Sequence, residues 1–163
     1  MTAIKSLLNV SNVHVAYPAR RRGGKSARAV DGVDLDIRSG EIIALVGESG
    51  CGKTTLARAI LGLQETSEGS IAFGGELLPT SASGKKAFRR RAQIVFQDPT
   101  ASLNPRHSVY EIVAEGLRIH GLVENEHQVV KNALEQCGLH PAERYMLKYP
   151  HELSGGQRQR VVI

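Results

Sequence analysis

The chain has 163 residues, 41% of them hydrophobic and 23% charged, and a formal net charge of +5. These values are typical of a folded globular protein and exclude a disordered tail or a fibrous repeat. The longest strongly apolar run, Ile42 to Val46, is far shorter than the roughly 20 residues of a membrane-spanning helix, and the first ten residues lack the apolar core of a secretory signal. Two cysteines are too few for a disulfide framework, so we expect a cytoplasmic protein.

The first half of the chain has the pattern of a sheet with one helix. Alternating apolar residues predict strands at 7–17 and 30–37, separated by a basic stretch at 20–28 that we interpret as an exposed loop. The continuous apolar run 42–46 predicts a strand buried on both faces of a parallel sheet. Residues 53–63 have helical periodicity, with Gly62 placed to end the helix.

The rest of the chain changes in character after residue 98. Short strands are predicted at 70–73, before a Gly74-Gly75 turn, and at 93–96, with a loop and a basic helical turn between them. Beyond them, 108–120 and 125–138 have helical periodicity. We therefore predict an α/β chain with a core at 1–97, a helical subdomain at 98–152 and an incomplete last segment at 153–163.

A glycine-rich loop lies between the predicted strand at 42–46 and the predicted helix at 53–63. Its sequence, GESGCGKT, matches G-x-x-x-x-G-K-[ST], in which backbone N–H groups and a helix N-terminus surround a polyphosphate. Lys53 is expected to reach the β- and γ-phosphates, and the Thr54 hydroxyl to bind Mg²⁺. The predicted nucleoside triphosphate site consists of Gly47, Glu48, Ser49, Gly50, Cys51, Gly52, Lys53, Thr54 and Thr55. We also hypothesise that alkylation of Cys51 blocks this loop.

A second motif, Leu153-Ser154-Gly155-Gly156-Gln157, lies near the end of the chain. Ser154 is a favourable helix cap, and the helix start behind it would present N–H donors and a positive dipole end to an anion. The pentapeptide resembles the LSGGQ signature of ABC-type ATPases. In that family the signature faces the γ-phosphate held by the P-loop of a second subunit, so the resemblance implies a head-to-tail dimer around two ATP molecules.

Two further residues match positions of that family. Gln97 follows the predicted strand 93–96 and resembles the glutamine that approaches Mg²⁺ or the attacking water and joins the core to the helical subdomain. Tyr17 lies at the end of the first predicted strand, where the family has an aromatic residue that stacks on adenine. The alternative for Gln97 is a polar residue that merely ends a strand, and the alternative for Tyr17 is a core or surface tyrosine.

A narrower resemblance rests on the segments 28–33, 96–99 and 102–106. They are similar to the ATPase subunits of bacterial oligopeptide, dipeptide and nickel importers. The resemblance implies an ATP- and Mg²⁺-dependent subunit, peripheral on the inner face of the cell membrane, that powers import of peptides or a related solute. Its partners would be a second ABC ATPase subunit, a transmembrane permease and, indirectly, a solute-binding protein, with no specific nucleic acid.

Some parts of the family pattern are missing from this sequence. The family continues with a strand ending in Asp-Glu and with a switch histidine, whereas no Asp or Glu follows Glu152 here. We expect the chain to be the N-terminal part of a longer protein, and expect residues 1–163 alone to self-associate and to hydrolyse ATP negligibly. Two alternatives remain open: an ABC-type ATPase acting on nucleic acid or ribosomes, which the +5 charge favours, and a binding module without turnover.

Overall fold

Residues 1–93 and residues 94–163 form two separate units. The structure is a computed structural model and describes residues 6–17, 27–96, 98 and 102–163. Gln97 and most of the basic stretch at 20–28 lie outside the described residues. Within these ranges, no helix has both the length and the apolar character that crossing a membrane requires.

The first unit is built on a four-stranded antiparallel sheet, in which the first strand lies between the second and the third, and the fourth pairs with the third. Leu8 and Val10 alternate into the core, as do Val13 and Val15, and a register shift between Val10 and Val13 keeps all four side chains in the core. The predicted strands at 7–17, 30–37 and 70–73 are confirmed. The four strands are β1, Ser6–Tyr17; β2, Ala27–Arg38; β3, Glu68–Phe73; and β4, Glu76–Leu77.

One helix packs against this sheet. Helix α1, Lys53–Ile60, buries Leu56 and Ala59 in the same core as the β1 valines. The helix ends earlier than predicted, but Gly62 ends it as expected: with φ +63°, its N–H donates to the carbonyl of Ala59 at 2.9 Å.

Two predicted strands are wrong. Residues 42–46 and 93–96 have no regular secondary structure, and the side chains of Ile42 and Val46 are 97% and 88% exposed rather than buried. A strand needs a hydrogen-bonded neighbour, and none of the strands in the described ranges pairs with either segment. An apolar run therefore indicated strand-forming residues without supplying the partner that a strand requires.

The basic segment after β4 forms a regular helix rather than a single turn. Helix α2, Ala82–Arg89, begins at Ser81, whose hydroxyl accepts from the N–H of Gly84 at 3.1 Å. Its buried residue, Phe88, contacts Phe73 edge to face with ring centroids 5.4 Å apart. This aromatic pair fixes α2 on the sheet and leaves its basic side chains on the outside.

The second unit is helical, and the predicted helices at 108–120 and 125–138 are confirmed. Ser108 and Glu111 form a capping box at the start of the helix Val109–His120, and Gly121 follows its end with φ +70°. The core of this unit consists of Leu103, Val109, Ala114, Val130, Leu134, Leu139, Ala142, Met146, Leu153 and Val161. The elements are α3, Val109–His120; α4, Glu126–Gln136; α5, Glu143–Met146; a 3₁₀ turn, Pro150–Glu152; and α6, Gly155–Val162.

Candidate functional site

The glycine-rich loop forms a tight path into the start of α1. The N–H of Cys51 donates to the carbonyl of Glu48 at 3.3 Å, and Gly50 and Gly52 have φ values of +83° and +96°. A Cβ atom at Gly52 would lie 2.2 Å from the carbonyl oxygen of Ala29 on β2. Glycine is therefore required at position 52 for both its dihedral angle and the close approach of β2.

The ammonium group of Lys53 lies inside this loop. Its Nζ donates to the carbonyl oxygens of Gly47 at 2.8 Å and Glu48 at 2.6 Å, and lies 3.4 Å from the Sγ atom of Cys51. These contacts fold the long side chain back over the loop. A full positive charge is thus fixed at the centre of the predicted phosphate site.

The start of α1 favours an anion. In the described part of the chain, no side chain caps this helix and its first turn has no acidic residue. The first N–H groups of a helix have no partner within the helix, and its dipole is positive at that end. Thr54 and Thr55 belong to this first turn, and Thr54 is exposed, so its hydroxyl can meet a ligand or a metal.

A cavity of about 400 Å³ lies between the loop and β2. Cys51, Gly52 and Lys53 line one side, and Arg28 and Asp31 lie on the other. The guanidinium of Arg28 donates from Nη1 to Oδ1 of Asp31 at 2.7 Å. Sequence reasoning did not assign Arg28 or Asp31 to the site, because the wall of the cavity is set by strand register rather than by a motif.

Asp31 also has a second partner. The Nδ1 atom of His14 lies 2.9 Å from the same Oδ1 atom, and a carboxylate can only accept, so the imidazole donates. The hydrogen bond from Arg28, followed by that from His14, holds the pKa of Asp31 below its ordinary value. Asp31 therefore remains a carboxylate beside the cavity.

Tyr17 lies at the end of β1, as predicted. It pairs with Ala27 on β2, and 37% of its surface is exposed. An exposed ring at a strand end can stack on a base, although this role stays a prediction. Gln97 lies outside the described residues, so its predicted role also stays a prediction.

The signature segment lies in the second unit and forms the start of α6. The hydroxyl of Ser154 accepts from the N–H of Gln157 at 3.3 Å, and Oε1 of Gln157 accepts from the N–H of Ser154 at 2.9 Å. The prediction that Ser154 caps a helix is confirmed. Gly155 and Gly156 are exposed, and a Cβ at either position would meet no atom within 4 Å among the described residues.

Arg158 links α6 by hydrogen bonds to the 3₁₀ turn before it and to Leu153. Arg158 donates from Nη1 to the carbonyl oxygens of Leu153 at 2.7 Å and Pro150 at 3.3 Å. Because these carbonyls precede the helix, the bonds fix the direction in which α6 starts. The glycine end of α6 is thereby held in place with its N–H groups pointing away from the helix.

Residues 30–163 match the sequence profile of the ABC transporter family, and the chain belongs to that family. It is 44% identical over 164 residues to the oligopeptide transport ATP-binding protein OppF of Streptococcus mutans, covering 98% of this chain and 52% of that protein. It is 49% identical over 160 residues to the peptidoglycan transport ATP-binding protein YejF of Agrobacterium fabrum, covering 93% of this chain and 29% of that protein. The chain thus spans about half the length of OppF and less than a third of the length of YejF. The predicted similarity to importer ATPases is confirmed.

Solved structures show the same fold. The structure of cbiO1 from Clostridium perfringens, part of the ABC transporter complex cbiONQ, has a TM-score of 0.77 and 31% identity, covering 96% of this chain and 59% of that one. A dimeric ATP-binding cassette in a post-hydrolysis state with ADP and Pi bound has a TM-score of 0.74 and 28% identity, covering 95% of this chain and 66% of that one. The predicted ABC-type α/β fold is confirmed.

Proposed function

We propose that this chain binds ATP through Gly47 to Thr55 and forms the nucleotide-binding part of a subunit that powers solute import. The observation that carries the proposal is the ammonium of Lys53 fixed inside the loop, directly at the uncapped start of α1. A triphosphate entering the loop would exchange the Gly47 and Glu48 carbonyls for its own β- and γ-phosphate oxygens around Lys53. The loop N–H groups would hold the remaining charge.

The residues around α1 also fit a magnesium ion. Mg²⁺ prefers oxygen ligands and binds with phosphate oxygens and few protein groups. The exposed hydroxyl of Thr54 is such a ligand, and the amide oxygen of Gln97 is proposed as a second one. The ion would neutralise phosphate charge, while Lys53 and the loop hold the nucleotide in position.

The signature segment would complete a second phosphate site, in a partner. The Ser154–Gln157 capping box orders the start of α6 and leaves Gly155 and Gly156 open, so a γ-phosphate can approach their N–H groups. We propose that this end faces the P-loop of a second ABC subunit, head to tail. The similarity to a dimeric cassette with ADP and Pi bound supports this arrangement.

The transport process that ATP hydrolysis would drive is proposed from the names of the relatives. Their names give oligopeptide and peptidoglycan transport, so we propose that the whole protein hydrolyses ATP to drive import of peptides or a related solute through a membrane permease, on the inner face of the membrane. Gln97 would orient the attacking water. We also propose that residues 1–163 alone bind ATP with negligible turnover.

The test is the affinity for MgATP, measured by calorimetry on the full chain and on Lys53→Ala. Loss of the ammonium at the phosphates should weaken binding by about 30-fold or more, in line with a lost charge-assisted contact. Lys86→Ala, an exposed lysine on α2, is the matched control and should bind like wild type. Wild-type affinity in Lys53→Ala would contradict the proposal, and salt-sensitive binding to DNA or RNA without permease co-purification would favour the nucleic-acid alternative.

A further inference from the structure

The cavity beside the P-loop has a second cation that the sequence motif does not include. Arg28 on β2 lines the same cavity as Lys53, which lies on the other side at the start of α1. We propose that Arg28 binds the α-phosphate of the nucleotide and that Asp31 positions its guanidinium. This inference rests on the ATP binding proposed above and adds a contact that the P-loop does not supply.

The position of Arg28 along β2 indicates which part of the nucleotide it meets. The preceding residue, Ala27, pairs with Tyr17, the proposed partner of the base, and the carbonyl of the following residue, Ala29, faces Gly52 of the loop. Arg28 thus lies between the two ends of the proposed site. A nucleotide extending from the Tyr17 ring to the ammonium of Lys53 would place its α-phosphate, rather than its γ-phosphate, near this residue.

Among the residues that the structure describes, Asp31 is the hydrogen-bond partner of the Arg28 guanidinium. Nη1 donates to Asp31, while arginine has five N–H donors in a planar fork, so donors remain for a phosphate. Asp31 is held in turn by His14, whose side chain is only 13% exposed. The partly buried imidazole therefore anchors an exposed carboxylate, which directs the arginine toward the cavity.

The ion pair has little to do with stability. The side chains of Arg28 and Asp31 are 55% and 64% exposed, and exposed pairs contribute little to the free energy of unfolding. A purely structural role therefore predicts no change in ligand binding when the pair is removed. Nucleotide affinity separates the two interpretations.

The experiment measures dissociation constants for AMP, ADP and ATP on the full chain. Arg28→Ala should weaken all three by about tenfold, because the α-phosphate is common to them. Lys53→Ala should weaken ATP far more than AMP, since its contacts are to the terminal phosphates. Arg38→Ala, an exposed arginine at the other end of β2, is the matched control and should stay within about twofold of wild type.

The positioning role of Asp31 has its own readout. Asp31→Asn should weaken the three nucleotides by a smaller common factor, and it should have no further effect when Arg28 is already alanine. An additive double variant would overturn the positioning role. Equal thermal unfolding of all variants shows that the differences come from binding.

The outcomes separate this inference from the proposed function. If wild type binds ATP and Lys53→Ala loses it while Arg28→Ala binds all three nucleotides normally, only the role of Arg28 is overturned. If Arg28→Ala weakens ATP but not AMP, the assignment to the α-phosphate is wrong. If wild type binds no ATP, the proposed function itself fails.

Discussion

The carbonyl oxygen of Ala29 occupies the space that a side chain at Gly52 would need, since a Cβ there would come within 2.2 Å of it. β2 and the P-loop are therefore in direct backbone contact. The loop can take its path only because position 52 has no side chain. This contact also brings Arg28 and Asp31 to the cavity beside the loop.

Gly52→Ala should lower the free energy of unfolding by about 3 kcal/mol, because it combines a left-handed dihedral angle with a backbone clash. Gly50→Ala is the matched control: its φ is +83°, but a Cβ there meets nothing within 4 Å among the described residues. It should cost about 1 kcal/mol. Urea titration without nucleotide measures both, and equal losses would show that the contact with Ala29 is unimportant.

Alkylation of Cys51 should block nucleotide binding. The thiol is exposed, and its Sγ lies 3.4 Å from Nζ of Lys53, so an added group would fill the phosphate space. Binding of MgATP is compared before and after N-ethylmaleimide treatment. Cys51→Ala should be protected and Cys137→Ser should not, and alkylated wild type with unchanged affinity would refute the prediction.

Ser154→Ala and Ser154→Asp should separate capping from phosphate binding. Alanine removes the cap and should lower the free energy of unfolding by about 1 kcal/mol, whereas aspartate caps as well as serine but adds a negative charge where a phosphate is proposed. Both should reduce ATP-dependent association, measured by light scattering. Ser108→Ala removes the equivalent cap of α3 and should lose stability alone.

Glu126→Gln should change how the free energy of unfolding depends on pH in the acidic range. Hydrogen bonds from Arg118, above all, and from Tyr110 hold the pKa of Glu126 below its ordinary value of 4.5. A lowered folded pKa means that the ionised carboxylate stabilises the fold above pH 4.5 and that this contribution is lost as the pH falls through the lower folded value.

The measurement for Glu126 is the free energy of unfolding by urea at a series of pH values. The difference between wild type and Glu126→Gln should be largest near neutral pH and should shrink as the pH falls below 4.5. Glu115→Gln, an exposed glutamate on the neighbouring helix α3, is the control and should give no such trend. A difference that is independent of pH would contradict the role of the ion pair.

The segment 42–46 should make the 163-residue polypeptide self-associate. Its side chains are apolar and exposed, and unpaired strand-forming residues readily pair with another chain. Replacing Ile42 and Val46 with threonine should increase the monomer fraction in sedimentation velocity without loss of stability. Ile119→Thr, an exposed residue of α3, is the control, and a monodisperse wild-type monomer would contradict the prediction.

Local patterns predicted those elements whose stability is itself local. The alternation through Val13 and Val15 identified β1, and the helical periodicity from Val109 to Leu117 identified α3. The run 42–46 shows the limit of such patterns. A strand in a parallel sheet depends on partners distant in the sequence, and periodicity carries no information about them.

The sequence likewise predicted one part of the candidate site, the phosphate loop, and missed another, the cavity wall on β2. The spacing from Gly47 to Lys53 predicted the phosphate loop because one motif contains all of its groups. Arg28 was not assigned to the site, because β1 and β2 shift register between Val15 and Ala16. Such a shift decides the face on which Arg28 lies, and a sequence does not reveal it.

The bonds from Arg158 to Leu153 and Pro150 have a mechanical consequence. They bridge the junction at Ser154, which would otherwise be the natural hinge between the turn and α6. Tension applied at Gly155 would consequently be transmitted to the 3₁₀ turn instead of being absorbed by bending at the cap. The signature segment and the 3₁₀ turn should therefore move together as one rigid piece, with Gly155 and Gly156 at the start of its helix.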